Sequence, residues 1–235
     1  SMLNFGTNNL SLSYFNARQE VYLSNIKWRF LDIRGGLRND IFDIRNIKSS
    51  NVIDEYDKTS LTNDFMSLFA DGRTDTFDDG YFPTKGVNAG LSYAWTFAGI
   101  PEMINNFHTL QADAKLVVPG GDGFTFIPSF YCRFLMGKEI PLAYFNAIGG
   151  SLPGRFVDQQ VPFIGLTNLV AMKNIMTMFR TDFRFEVARN HYVTGTINYV
   201  RDSETFRQYD QGLGNFGAGI EYSYDTIFGP ISANV

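Results

Sequence analysis

Along most of this chain apolar and polar residues alternate one by one, the period of a strand with two unlike faces rather than of a helix. From Val87 the run VNAGLSYAWTF sets Val87, Ala89, Leu91, Tyr93, Trp95 and Phe97 on one face. Asn88, Gly90, Ser92, Ala94 and Thr96 fall on the other. From Phe179 the run FRTDFRFEV sets Phe179, Thr181, Phe183, Phe185 and Val187 against Arg180, Asp182, Arg184 and Glu186. Four charges on one strand face cannot point into a dry core. The pattern returns at 108–118, 124–134, 191–199 and 216–224, where Glu221 shares the small, polar face with Gly217, Gly219 and Ser223. Less regular pieces at roughly 8–16, 20–26, 28–42 and 61–74 bring the expected total to about eleven strands.

The connections alternate in length. PTKG (83–86), PGGDG (119–123), ARN (188–190) and DTIFGP (225–230) read as tight turns, and longer links lie between them at about 43–60, 99–106, 137–171 and 202–212. Short on one side and long on the other is the layout of an outer-membrane barrel, and strands of ten or more residues are long enough to cross a bilayer when tilted. A soluble barrel or sandwich alternates too, with its apolar face inside. Which face is inside therefore decides between them. Twenty-three Phe, twelve Tyr and two Trp favour the membrane, because interfacial girdles use aromatic side chains. Trp95, Phe97, Tyr222 and Tyr224, near strand ends, are the expected girdle positions.

Other chemistry is thinly represented. A net charge of −4 with no long Lys or Arg run argues against nucleic-acid binding. With Cys132 as the one cysteine, an intrachain disulfide and a cysteine metal cluster are excluded. His108 and His191 lie too far apart for a two-histidine site on one helix, so no metal and no cofactor is expected. No window of about 18 apolar residues predicts a membrane helix. GGSLPG (149–154) resembles a nucleophile elbow, but Pro153 stands where the second glycine around Ser151 is needed, and a phosphate loop would need a lysine it lacks. Ser13, Ser92, Ser129 and Ser223 have no histidine on the same strand, and Asp78, Asp79 and Glu102 read as solvated loop carboxylates. No residue is assigned a catalytic role.

Three segments together resemble the bacterial surface antigen superfamily, the outer-membrane barrels of protein-assembly and two-partner secretion machines. DTFDDGYFPTKG (75–86), with Asp75, Asp78, Phe82, Pro83 and Gly86, is similar to its strand-turn-strand signature. NFGAGIEYSYDTIFGPISANV (215–235) is similar to its penultimate strands, and AIGGSLPGRFVDQQVPFIG (147–165) to its long extracellular loop, which folds back into the lumen. The resemblance implies an all-β, antiparallel transmembrane β-barrel in the bacterial outer membrane, acting on or through a lipid bilayer. It makes Gly149, Gly150, Gly154, Arg155 and Phe156 the lumen loop, with Arg155 as the cation at its tip. The family places arginine, glycine and an aromatic in that order, whereas here Gly154 precedes Arg155 and Phe156 follows directly. A guanidinium inside a barrel needs a carboxylate, and the charges of the inner row, Arg180, Asp182, Arg184 and Glu186, lie on the next strand. Asp182 or Glu186 is the expected partner, then Glu221.

FIPSFYCRFLMGKEIP, DQQVPFIG, NHYVTGTINYVRDS and YSYDTIFGP look like the C-terminal barrel of patatin-like phospholipases of Bacteroidetes-type bacteria. In that subgroup an N-terminal serine hydrolase is the passenger, and its dyad would lie in residues absent from this chain. Such barrels have sixteen strands. Residues 1–235 are accordingly expected to be a barrel fragment of about eleven strands, lacking N-terminal domains, the first strands and the closing strand, or to pair their edges with another copy in a homodimer.

Overall fold

Alternation carries the chain into strands along nearly its whole length. In the computed structural model, which describes residues 2–5, 8–49, 60–100, 106–138, 140–150, 157–166, 168–212 and 214–234, they run in order. The first seven are β1 (Met2–Phe5), β2 (Asn8–Trp28), β3 (Leu31–Ser49), β4 (Ser60–Asp75), β5 (Gly86–Ile100), β6 (Phe107–Gly121) and β7 (Phe124–Gly137). Three short strands follow, β8 (Asn146–Ile148), β9 (Gln160–Val161) and β10 (Leu169–Met172). The last four are β11 (Ile175–Ala188), β12 (His191–Ser203), β13 (Gly214–Thr226) and β14 (Gly229–Asn234).

All fourteen belong to one sheet. Eleven of them, β1 to β7 and β11 to β14, form an antiparallel meander in which β7 pairs directly with β11 across the long connection. β8, β9 and β10 all arise from that connection, and β10 joins the meander by a short parallel pairing with β1. The pieces 8–16 and 20–26 are one strand, β2, with register shifts between Ser11 and Ser13 and between Leu23 and Ile26. A bulge inserts an extra residue and breaks the two-residue period without ending the strand, which is why the sequence reads as two pieces. Among the described residues no pairing joins β14 to β1 or β2, so the sheet is an open, partial barrel.

Sidedness follows from the chain path. Residues 29–30, 76–85, 122–123, 189–190 and 227–228 connect strands at one end; 50–59, 101–106, 138–174 and 204–213 connect them at the other. Four of the five links at the first end are two residues long, as the sequence predicts; the fifth is not the tight turn expected at PTKG but the ten-residue link 76–85, longer than 101–106 at the other end.

The two faces decide the solvent. Leu91 is 56% exposed, Phe179 54% and Ile220 62%, all pointing outward, whereas Asp182 and Arg184 point inward and are each 6% exposed. A barrel with apolar side chains outside and charges inside is inverted relative to a soluble one, and only lipid can cover such an outer face. The aromatics sit at both rims of that face. Trp95 packs with Phe97 and His108 near the loop end, and His191 stacks on Tyr222 and Tyr224 near the turn end. Both histidines face outward and bond tyrosines, His108 to Tyr93 at 2.7 Å and His191 to Tyr222 at 2.5 Å, while Ser92 and Ser223 bond carboxylates on the inner side. Among the described residues the histidines thus bond tyrosines on the outer face and these two serines bond carboxylates on the inner one. Among the described residues no helix is long and apolar enough to cross a membrane.

Candidate functional site: the lumen and the segment folded into it

β7 and β11 are neighbours, so residues 138–174 must leave the wall and return to it one strand away. The described parts of this segment fill the lumen. Ala143, Tyr144, Ala147, Val157 and Leu169 pack on Phe42 of β3, Phe65 of β4 and Phe107 of β6. Farther along, Ile148, Val161, Phe163 and Met172 pack on Met176 and Met178 of β11 and Val200 of β12. Most loops avoid burial because their backbone groups would go unsatisfied. Here they are satisfied locally: Gly149 N–H donates to Val161 O at 3.0 Å and Gly150 N–H to Leu166 O at 2.7 Å. Gly149 has φ +120°, and a Cβ there would stand 2.1 Å from Asn168 O. The GGSLPG stretch thus owes its first glycine to chain reversal in a crowded lumen.

Polar contacts bind the segment to both walls. Arg133 of β7, 6% exposed, donates to Tyr144 O at 2.9 Å and to Asn146 Oδ1 at 2.8 Å. The Asn146 amide in turn donates to Lys173 O at 2.7 Å and Asn174 O at 3.1 Å, so one buried side chain ties the start of the segment to its end. Asp40 of β3 accepts from Arg18 of β2 at 2.7 Å and from the Tyr144 hydroxyl at 3.2 Å. Burial and the adjacent Asp40 carboxylate push that hydroxyl well above the usual phenol range, so Tyr144 stays a donor. Asp158 accepts from Asn16 at 2.8 Å. On the far wall the Asn198 amide, with nitrogen toward β13, donates to Gly217 O and accepts from Ile164 N–H, both at 2.7 Å.

Below the segment a polar cavity of ≈ 400 Å³ is lined by Arg18, Arg34, Arg38, Asp71, Asp113 and Arg133, among others. Its charges pair across strands: Arg34 with Asp71 at 2.9 Å, Arg38 with Glu20 at 2.8 Å, and Arg73 with Asp113 at 3.6 Å. A lumen so lined admits water and ions rather than apolar ligands.

The expected partner carboxylates are all on the inner side, each already engaged. Asp182 accepts from Arg180 at 2.9 Å and from Thr196 at 2.6 Å, Glu186 from Asn190 N–H at 3.3 Å, and Glu221 from Ser223 at 2.9 Å. Gly154, Arg155 and Phe156 lie outside the described residues. The anchors that the described residues show, Arg18, Asp40, Arg133, Tyr144, Asn146 and Asn198, were missed in the sequence. Arg133 carries the one available signal, as the sole charge in an otherwise uncharged strand and on its inner parity.

The turn signature forms a rigid strap at the turn end. Asp78 accepts from the Thr84 hydroxyl at 2.6 Å and from Thr84 N–H at 2.8 Å; Asp79 accepts from Tyr81 and Phe82 N–H; Asp75 accepts from Phe77 N–H and Asn88. Gly86 closes it at φ +123°. The Thr84 hydroxyl first, then backbone N–H groups of Lys85 and Thr84, hold the Asp78 carboxyl down to about 2, from 3.8. A folded-state pKa below the unfolded one stabilises above the unfolded value and is lost as pH falls through the folded value. Pepsin cleavage within 76–85 is expected to rise as pH drops from about 4 to about 2, and Asp78→Asn to abolish the pH step; a digestion rate flat across that window contradicts the assignment.

A sequence description of the OMP85 superfamily matches residues 1–235. The chain belongs to the OMP85 superfamily. It is accordingly a barrel protein of the bacterial outer membrane, as its inverted faces require. Among solved structures it is similar to BamA from Haemophilus ducreyi lacking POTRA domains 1–3, with a TM-score of 0.67 at 15% identity over 96% of this chain and 51% of that one. The likeness is one of fold. This OMP85 chain spans about half the length of the structure it matches. No curated protein matches it.

Proposed function

We propose that this OMP85 chain is a translocon-type barrel that anchors or exports an attached passenger domain, with the segment 138–174 as the gate of its lumen and no covalent chemistry of its own. One observation carries the reading: the segment is bound by buried polar groups to β3 and β7 on one wall, through the Tyr144 hydroxyl on Asp40 and Arg133 on Tyr144 O, and to β12 on the other, where Asn198 accepts from Ile164 N–H. Directional bonds to two walls give a closed state that can be left as a unit, whereas a merely space-filling loop would slide. The segments similar to patatin-like phospholipases support a hydrolase of that kind as the passenger. The edge of β2 beyond its short pairing with β1, and the outer edge of β14, support further strands, or a second copy, as what completes the wall in lipid.

Arg155 is proposed to hold the gate's tip to an inner carboxylate. In planar bilayers the full reading frame, first shown to be a folded barrel by its heat-dependent electrophoretic mobility, is expected to be nearly silent. Arg155→Ala is expected to raise its mean conductance several-fold and to make the segment protease-sensitive. A steady open conductance indifferent to Arg155 favours a passive porin, the reading that the ≈ 400 Å³ polar cavity supports.

A further inference from the structure

The turn signature does more than reverse the chain. It is rooted between β4 and β5, yet Phe82 stacks face to face on Tyr192 of β12, with ring centroids 4.1 Å apart and planes 12° from parallel. Four strand spacings, β5 through β6, β7 and β11 to β12, separate the two along the wall, roughly 19 Å at the usual strand separation. Tyr192 lies on the inner parity of β12, with Thr196 and Asn198, so the contact is made across the mouth of the barrel and not around its outside.

Arg184, inward on β11, locks the crossing. Its guanidinium donates to Pro83 O and lies 5.7 Å from the Phe82 ring and 5.6 Å from the Tyr192 ring. Pro83 is buried, although Asp79, Gly80, Tyr81, Thr84 and Lys85 around it are exposed. Nearer the root, Lys115 of β6 sits 6.0 Å above the Phe77 ring. Two wall cations thus hold two aromatic rings of a turn whose own backbone is already fixed by Asp75, Asp78 and Asp79.

We propose that residues 75–86 are a second closure of the lumen, at the mouth opposite the gate, clasped shut by Arg184 and the Phe82–Tyr192 stack. The inference rests on the reading of the lumen as the route of transport. It gives the barrel two constrictions in series, the segment 138–174 controlling whether a path exists and the strap limiting its width.

The test records single channels from the full reading frame carrying Gly217→Val, which displaces the gate, with and without Arg184→Ala. Adding Arg184→Ala is expected to raise the unitary conductance about twofold or more, because the narrowest cross-section sets the current. An unchanged unitary conductance overturns the strap and leaves the lumen reading standing. If Gly217→Val alone is silent although proteolysis shows 138–174 released, current in the double variant supports the strap as the tighter closure, and silence in both overturns the lumen reading and the strap that rests on it. A second protein, Phe82→Cys and Tyr192→Cys in the Gly217→Val background, separates gating from misfolding, since its native Cys132 is buried. Oxidation is expected to lower the unitary conductance and reductant to restore it; a cross-linked band on a gel with unchanged current refutes the proposal.

Discussion

Replacing Gly217 with valine is expected to expel the gate from the lumen. A Cβ at this position would stand 2.2 Å from Ile164 O, 2.5 Å from the Asn198 amide nitrogen and 3.0 Å from the Phe163 ring. The first obstacle is backbone, so the side chain cannot be accommodated by a rotamer change. It also separates the Asn198 amide from Ile164 N–H, leaving a buried donor without its acceptor. Overpacking of about 1–3 kcal/mol and the lost bond together reach about 2–4 kcal/mol, a shift on the order of a hundredfold toward the open segment. β13 itself is spared, because Gly217 faces the lumen and its ladder partner Asn198 keeps its backbone pairing. Limited proteolysis of refolded protein therefore should cut within 138–174 while heat-dependent mobility is retained. A resistant segment in a folded Gly217→Val barrel would show that the contact with β13 does not hold the gate.

The wall was legible because it repeats. FRTDFRFEV states both faces of β11, and its sense became decidable once Phe179 and Phe185 were found exposed and Asp182 and Arg184 buried. The lumen contacts do not repeat. Asn146 is one amide in the short apolar run FNAIGG, and its partners are carbonyls of Lys173 and Asn174, a relation between segments that no local period encodes. Asn198 looks like any polar residue on the inner side of β12 until the loop that it faces is in place. Arg18 and Asp40 are visible as charges, but that Asp40 meets the segment depends on which wall Tyr144 reaches. The strap is the intermediate case. A turn was readable at PTKG, but Asp78 and Asp79, read as solvated carboxylates, also accept backbone N–H groups that fix the loop, and its reach to Tyr192 depends on barrel curvature.

The same wall contact yields the second large effect. Arg18→Ala is expected to destabilise the folded barrel by about 2–4 kcal/mol, because it strands a carboxylate that has left water. The Asp40 side chain is 2% exposed and relies on Arg18 at 2.7 Å, its other partner among the described residues being the neutral Tyr144 hydroxyl at 3.2 Å. The figure is set below that of a fully buried pair because the Arg18 side chain is 39% exposed and lumen water can partly replace it. Asp158, 3.8 Å from the same guanidinium and more than half exposed, should contribute little. Arg18→Ala combined with Asp40→Asn is expected to recover most of the loss, since the stranded charge is gone, while Arg18→Lys should recover only part for want of the planar fork. Urea midpoints of detergent-refolded barrels, followed by tryptophan fluorescence, order the four proteins. If the double variant is no more stable than Arg18→Ala alone, the cost arises from lost packing of the arginine stem, and Asp40 is not the electrostatic anchor of the gate.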